Sequence, residues 1–233
     1  FANKIWNASR FVMMNLEEEH PDYSNEPLQL EDRWILSSLH STIDEVTKNL
    51  ESYELGLALA SIYEFFWDKF CDWYIEMVKP RLFDKNSQSR STAQYVLVYV
   101  LDNALRLLHP FMPFVTEEIF QHLPKTEQSI MISQWPNSEE ERIDKDAERQ
   151  MQVVFEAIVG IRQLRNEMGV SPKLRIQAIL DSDDEATRDY FLQAANYLER
   201  LAGVSTLELA EGTDRENPML SMVISKGTIF IPQ

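Results

Sequence analysis

Residues 55–80 read LGLALASIYEFFWDKFCDWYIEMVKP. A helix drawn through this stretch carries apolar side chains on nearly every side, and a helix of that kind belongs at the centre of a bundle rather than at its edge. Pro80 is expected to stop it, because the ring lacks an N–H and clashes with the preceding turn.

The flanks supply helices to surround it. Upstream, Leu36, Leu39, Ile43, Val46, Leu50 and Tyr53 lie three and four apart, the pattern of a long helix with one buried stripe and a charged outer face. Before that, Ile5, Ala8, Val12 and Leu16 predict a first helix from about residue 2 to residue 18, ended by HPDYSNEP at 20–27. Downstream, Ala93, Val96, Leu97, Val100, Ala104 and Leu107 predict a helix over 91–108, broken by His109 and Pro110. In HPFMPFVTEEIF, Pro110 and Pro113 forbid a continuous helix, and Thr116, Glu117 and Glu118 are expected to open a short new one. The stretch KTEQSIMISQWPNSEEE at 125–141 reads as a connector, with a domain boundary near 137.

The pattern then changes. A helix is expected over 144–168, an alternating strand at 173–180 (KLRIQAIL), a second helix over 184–202, and strands at STLELA and MLSMVISKGTIFIP, the last a hairpin turning near Lys226 and Gly227. The expected fold is therefore mainly α: a helical bundle over 1–137, followed by a small α+β domain over 138–233.

Composition agrees with this. The chain has 233 residues and only 6 Gly, too few for an all-β sandwich rich in tight turns. Its single cysteine, Cys71, excludes an intramolecular disulfide and fits a reducing compartment. The longest apolar run, YVLVYVL at 95–101, is far short of the ~20 residues a membrane span needs. The expectation is a soluble, cytoplasmic chain. Residue 1 is not Met and Phe1 lies almost inside the first helical pattern, so a piece of a longer protein is expected.

The formal net charge of -16 excludes a generic nucleic-acid binder, because no broad field attracts phosphates. Any RNA contact must be local. There is no Gly-rich phosphate loop, no HExxH and no nucleophile elbow, and the four His residues at 20, 40, 109 and 122 share no ligand spacing. Neither a catalytic set nor a metal site is expected. The acidic runs at 17–19 and 139–141 read as solvated charge.

The first helix departs from this acidity. At about 100° per residue, the stripe of Ile5, Ala8, Val12 and Leu16 leaves an opposite face of Asn3, Lys4, Asn7, Arg10, Phe11, Met14 and Asn15. A ring for stacking, amides for base edges and cations for phosphates are what single-stranded RNA recognition uses. A second packed face, burying Phe11 and Trp6, is the other reading of the same spacing. Trp73 and Tyr74, near Lys79 and Arg81, are candidates for a surface pocket; the other rings of 63–74 read as core. Arg162 and Arg165, with Lys173 and Arg175, either contact phosphate or pair with acids of this acidic chain.

Four stretches, NKIWNASRFV, LEDRWILSSL, YEFFWDKFCDWYIEMVKPRL and LLHPFMPFVTEEIF, together resemble the post-catalytic part of valyl-tRNA synthetases, a class I family. The resemblance covers nearly the whole chain in order. HPFMPFVTEEIF is shared with isoleucyl and leucyl relatives; NKIWNASRF and FCDWYIE..KPRL are more specific. The resemblance implies that 1–137 is a helical anticodon-binding domain and 138–233 a junction before a coiled-coil arm absent from this sequence, as are the HIGH and KMSKS motifs and the editing domain. It implies valine tRNA as partner, a monomer, and ATP with Mg in the full-length enzyme but no cofactor in this part. It implies a middle A and a last C read in the anticodon, a stacking role for Phe11 and a backbone or base-contact role for Lys4; Asn7 and Arg10 also match the family's first-helix motif and are candidates for the same anticodon site, and Asn7, Asn15 and Trp73 are assigned to it from helix geometry. Two alternatives stay open: an acidic helical scaffold for a protein partner, and the equivalent region of an isoleucyl enzyme.

Overall fold

The computed structural model describes residues 1–16, 27–124, 127–171, 173–211 and 219–232. Of the expected loop at 20–27, all but Pro27 lies outside them. The chain folds as two compact units, Phe1–Ala147 and Glu148–Gln233.

The first unit is helical: α1 (Ala2–Met14), α2 (Leu30–Glu51), α3 (Leu55–Glu64), α4 (Ile75–Phe83), α5 (Arg90–Leu108) and α6 (Pro113–Phe120). Between α3 and α4 the segment Phe65–Tyr74 is π-helical, a rare form associated with functional sites. Periodicity could not foresee it. Phe66, Phe70 and Tyr74 form a ladder, with centroids 5.5 Å and 6.3 Å apart, and this wider turn gives those bulky rings room one above the other.

The stretch 55–80 is central on one side only. Ala58, Ile62, Phe65, Phe66, Phe70 and Tyr74 are buried, whereas Leu55, Leu57, Leu59 and Tyr63 are exposed. Nor does Pro80 end the helix: α4 runs on to Phe83, and Asp84 N donates to Pro80 O at 3.0 Å. The missing N–H falls in the last turn, where tertiary bonds from Arg81 hold the chain. Arg81 donates to Glu31 (2.7 Å), Asp32 (2.9 Å), Ser89 Oγ (3.0 Å) and Ser89 O (3.0 Å). Asp32 caps α2 through Gln29 N and accepts from the phenol of Tyr74 at 2.7 Å. Tyr74 is thus core, not a surface ring. Burial, then the Asp32 charge, raises its pKa well above the ordinary value.

α6 starts earlier than expected, with Pro113 in its first turn where a missing N–H is harmless. Thr116 instead donates to Met112 O at 2.9 Å and meets His109 Nδ1 at 2.7 Å.

The first unit also extends past the boundary expected near 137, because the connector stays on α2. Trp135 Nε1 donates to Thr47 Oγ1, Ser138 Oγ to His40 O, and Asp144 N to Ser37 Oγ, at 2.9, 2.9 and 2.8 Å. Arg33 pairs with Asp144 at 2.9 Å. Glu139 N donates to His40 Nδ1 at 3.0 Å, which leaves the His40 proton on Nε2, facing Tyr99 Oη at 3.2 Å. Burial lowers the His40 pKa; Glu139 opposes that and Arg142 adds to it.

Protonating His40 would set an N–H against the Glu139 N–H. The folded chain therefore refuses a proton that the unfolded chain binds below about pH 6.5. Stability is expected to be full above that pH and to fall as pH drops from there through the lowered folded pKa, by up to about 1.4 kcal/mol per pH unit. Urea unfolding of wild type and His40→Asn across pH 5 to 8 checks this; equal pH dependence in both would refute it.

The second unit holds most of α7 (Lys145–Glu167), then β1 (Ile176–Asp181), α8 (Glu185–Gln193), α9 (Ala195–Leu201), β2 (Val204–Ala210), β3 (Met219–Ile224) and β4 (Gly227–Pro232). The helix expected over 184–202 is broken at Ala194. The sheet order is β2-β1-β4-β3. β1 and β2 are parallel, linked by the α8–α9 crossover, and β4 is antiparallel to β1 and to β3. Gly160 lets α7 lie directly on the sheet: a Cβ there would come within 2.8 Å of Ile229 Cδ1.

Candidate nucleic-acid interface

α1 buries Ile5, Ala8, Ser9 and Val12, and Ser9 Oγ donates to Ile5 O at 2.8 Å. Its outward face presents Asn3, Asn7, Arg10 and Met14, all exposed. Asn7 and Arg10 make no side-chain hydrogen bond among the described residues.

Lys4, Phe11 and Asn15 lie on one flank and are half-buried. Lys4 Nζ is 2.7 Å from Asp72 Oδ1 and 3.7 Å above the centroid of Trp67. Trp67 stacks on Tyr63 at 5.4 Å, and Phe1 packs against Tyr63 at 4.8 Å. The Phe11 ring has Lys79 Nζ 5.7 Å from its centroid, and Lys79 pairs with Glu76 at 2.5 Å. Asn15 closes the helix: its amide donates to Phe11 O (2.8 Å) and its carbonyl accepts from Gln94 (2.7 Å). The flank is thus less basic than its lysines suggest, since Asp72 and Glu76 offset them. Arg10 is the exposed cation of the face.

The structure brings Lys4, Asn7, Arg10 and Phe11 together on α1, with Asn15 as its C-terminal cap. Trp73 is half-buried in the π segment, close in sequence to Asp72 and Lys79. Trp6 was weighed only as a packed residue, yet it is 46% exposed. The helical angle carried the signal: Phe11 and Trp6 each stand about 110° from the buried stripe, on opposite sides. Spacing cannot tell which side has a neighbour.

The buried thiol of Cys71, beneath this flank, is pushed up to about 12 by burial and offers no nucleophile at neutral pH. In the second unit, Arg162 is exposed and its Nε donates to Leu201 O at 2.7 Å. Arg165 is 7% exposed. It donates to the carbonyls of Ala202, Gly203, Ser171 and Leu174 at 3.1, 2.9, 3.1 and 2.8 Å. That guanidinium faces inward and holds the fold.

Among the described residues no group of His, Cys, Asp or Glu could hold a metal ion, and no helix is long and apolar enough to cross a membrane. Residues 32–180 match the model of the anticodon-binding domain of tRNA ligases. The chain belongs to that family. It is also 44% identical, over its whole length, to a valine-tRNA ligase of Clostridium perfringens, and 42% identical to one of Thermosynechococcus vestitus. It spans 27% and 26% of those proteins, about a quarter of their length. These alignments include α1, which precedes the family match. A LeuRS from a ternary complex of Agrobacterium radiobacter K84 is 19% identical with a TM-score of 0.45, over 61% of this chain and 16% of that one.

Proposed function

We propose that this chain is the anticodon-recognition segment of a valine-tRNA ligase, and that α1 docks the anticodon loop of valine tRNA. The observation that carries the reading is the outward face of α1, where Asn7 and Arg10 stand beside the half-buried ring of Phe11 in an otherwise acidic chain. Phe11 stacks a base, Asn7 meets a base edge, Arg10 takes a phosphate, and Lys4 contributes a cation held in place by Asp72 and Trp67. Asn15 fixes the end of the helix under Phe11, and Trp73 borders the loop from the π segment. The overall acidity discourages indiscriminate RNA binding.

The whole ligase, a monomer of the cytoplasm, joins valine to its tRNA with ATP and Mg. The described residues of this chain do not fit those two: no carboxylate or imidazole cluster stands ready for a metal, and the sequence has no phosphate-cradling loop. No step of that chemistry is given to them. Their part is selection and positioning.

The test is an anisotropy titration of this chain with a valine anticodon stem-loop, and with one whose middle A is changed, at fixed moderate salt. The valine loop should bind more tightly. Phe11→Ala should weaken it by about 1–3 kcal/mol, the worth of one stacked base, with little change in melting temperature. Lost stability with unchanged binding would make Phe11 a packing residue and remove it from the site. Equal binding of both loops would overturn anticodon reading by this chain.

A further inference from the structure

Asp72 sits inside the candidate interface, where a lone carboxylate is an unfavourable neighbour for the phosphates of any nucleic acid. Lys4 meets Asp72, and seven positions further along each segment Phe11 meets Lys79, so α1 runs beside the π segment and α4 with Asp72 on the seam. Asp72 Oδ1 accepts from Lys4 Nζ at 2.7 Å, and its side chain is 53% exposed. Among the described residues Oδ2 accepts no hydrogen bond, which leaves that oxygen open to a donor from outside.

Two features suit this carboxylate to a base. Lys4 is held a second time, 3.7 Å above Trp67, so it stays in place while only one oxygen of Asp72 is engaged. The Lys4–Asp72 pair carries no net charge, which removes most of the repulsion that a lone carboxylate would raise against phosphate.

What the open oxygen accepts is chemically narrow, because an ionised carboxylate has lone pairs and no proton to give. A presents an N6 amine and C an N4 amine where G presents O6 and U presents O4. An amine gives the carboxylate a charge-assisted hydrogen bond; a carbonyl meets it oxygen against oxygen. Such a group separates amino bases from keto bases. Every valine codon begins G-U, so every valine anticodon ends in A-C, two amino bases in succession.

We propose that Asp72 is a specificity-determining residue: its Oδ2 accepts the exocyclic amine of one of the two amino bases of the valine anticodon, while Lys4 holds Oδ1 and balances the charge. That the amine belongs to an anticodon rests on the proposed function; the preference for an amino over a keto base rests on the carboxylate. The acid beside Lys4 then has a task of its own, selection by base edge rather than attraction by charge.

The experiment titrates the full chain, Asp72→Asn and Asp72→Glu with three anticodon stem-loops at several salt concentrations, and measures the melting temperature of each protein. The loops are the valine loop, one with the middle A changed to G and one with the last C changed to U; each change exchanges an amine for a carbonyl on a ring of the same size. Wild type should prefer the valine loop by about tenfold or more at the position Asp72 reads. Asp72→Asn keeps an acceptor and adds a donor that a carbonyl can use. The preference at that one position should therefore fall about tenfold, with the other position unchanged and the melting temperature preserved. Because Lys4 loses its counter-charge, the log–log salt slope should steepen by about 1 for every loop. Asp72→Glu, which keeps the charge, should retain the wild-type slope and most of the preference.

Preferences at both positions kept in Asp72→Asn overturn the proposal and leave the anticodon reading standing. Binding of all three loops weakened by one common factor, with a lowered melting temperature, makes Asp72 a support for Lys4 and overturns the proposal as well. Equal binding of the three loops by wild type, or binding of none, overturns the anticodon reading and the proposal together.

Discussion

Arg81→Ala is expected to destabilise the first unit by about 3–5 kcal/mol, the range for breaking one partner out of a buried ion pair. The side chains of Glu31, Asp32 and Arg81 are 3%, 0% and 12% exposed. Burial works against the Arg81 charge, yet Asp32 and Glu31 outweigh it and raise its pKa. Removing the guanidinium leaves two carboxylates in the interior with their other bonds intact, and it removes the two bonds from Arg81 to Ser89. Because Asp32 caps α2 and accepts from Tyr74, the loss reaches α2, the π segment and the start of α5 together. Arg81→Lys should recover only part of it, since one ammonium cannot bridge two carboxylates and Ser89 at once. Tyr74→Phe, which removes a single bond, should cost about 1 kcal/mol. Urea unfolding of the full chain measures all three; a loss under about 1 kcal/mol for Arg81→Ala would show that solvent reaches the cluster.

That cluster marks where the sequence was legible and where it was not. Apolar spacing placed every helix of the first unit that it addressed and the strands of the second, because burial of one face is what repeats at 3.6 and 2 residues. It missed contacts between residues distant in sequence. Nothing in EDRW at 31–34 announces a partner at Arg81, 49 positions beyond Asp32. The connector after 125 likewise looked free because it is polar, and its polar groups are what tie it to His40, Ser37 and Thr47.

The π segment is a further case of tertiary packing overriding pattern. Six of the ten residues in FFWDKFCDWY are aromatic, and helical spacing assumes the ordinary turn. In the candidate interface, the wheel correctly placed Asn7 and Arg10 outward, but the neutralisation of Lys4 by Asp72 and of Lys79 by Glu76 crosses from one helix face to another or lies within the π and α4 segments. Charge counted along α1 alone overstated how basic that flank is.

The same distinction decides Arg165, for which the sequence offered phosphate contact or an acid partner and the structure shows carbonyls. Arg165→Ala is expected to destabilise the second unit by at least about 3 kcal/mol. Four carbonyl groups lose a charged donor. Ser171 O and Gly203 O keep their bonds from Leu174 N and Ile176 N, whereas Ala202 O and Leu174 O lose the guanidinium bond that meets them. A buried polar group left unsatisfied costs about 1–3 kcal/mol; water entering the vacated space would recover part of that total. The affected residues lie at both ends of the chain running into β1 and at the turn from α9 into β2, where Ile176 N donates to Gly203 O at 3.1 Å. The parallel β1–β2 pair should therefore open first, and backbone hydrogen exchange should show lost protection over 176–181 and 204–210. Arg165→Lys should not rescue it, because no single ammonium reaches the carbonyls of Ser171, Leu174, Ala202 and Gly203 together. A variant with weakened RNA binding and undiminished protection would return Arg165 to the phosphate-contact role. With protection lost, any loss of RNA affinity in that variant is a consequence of unfolding.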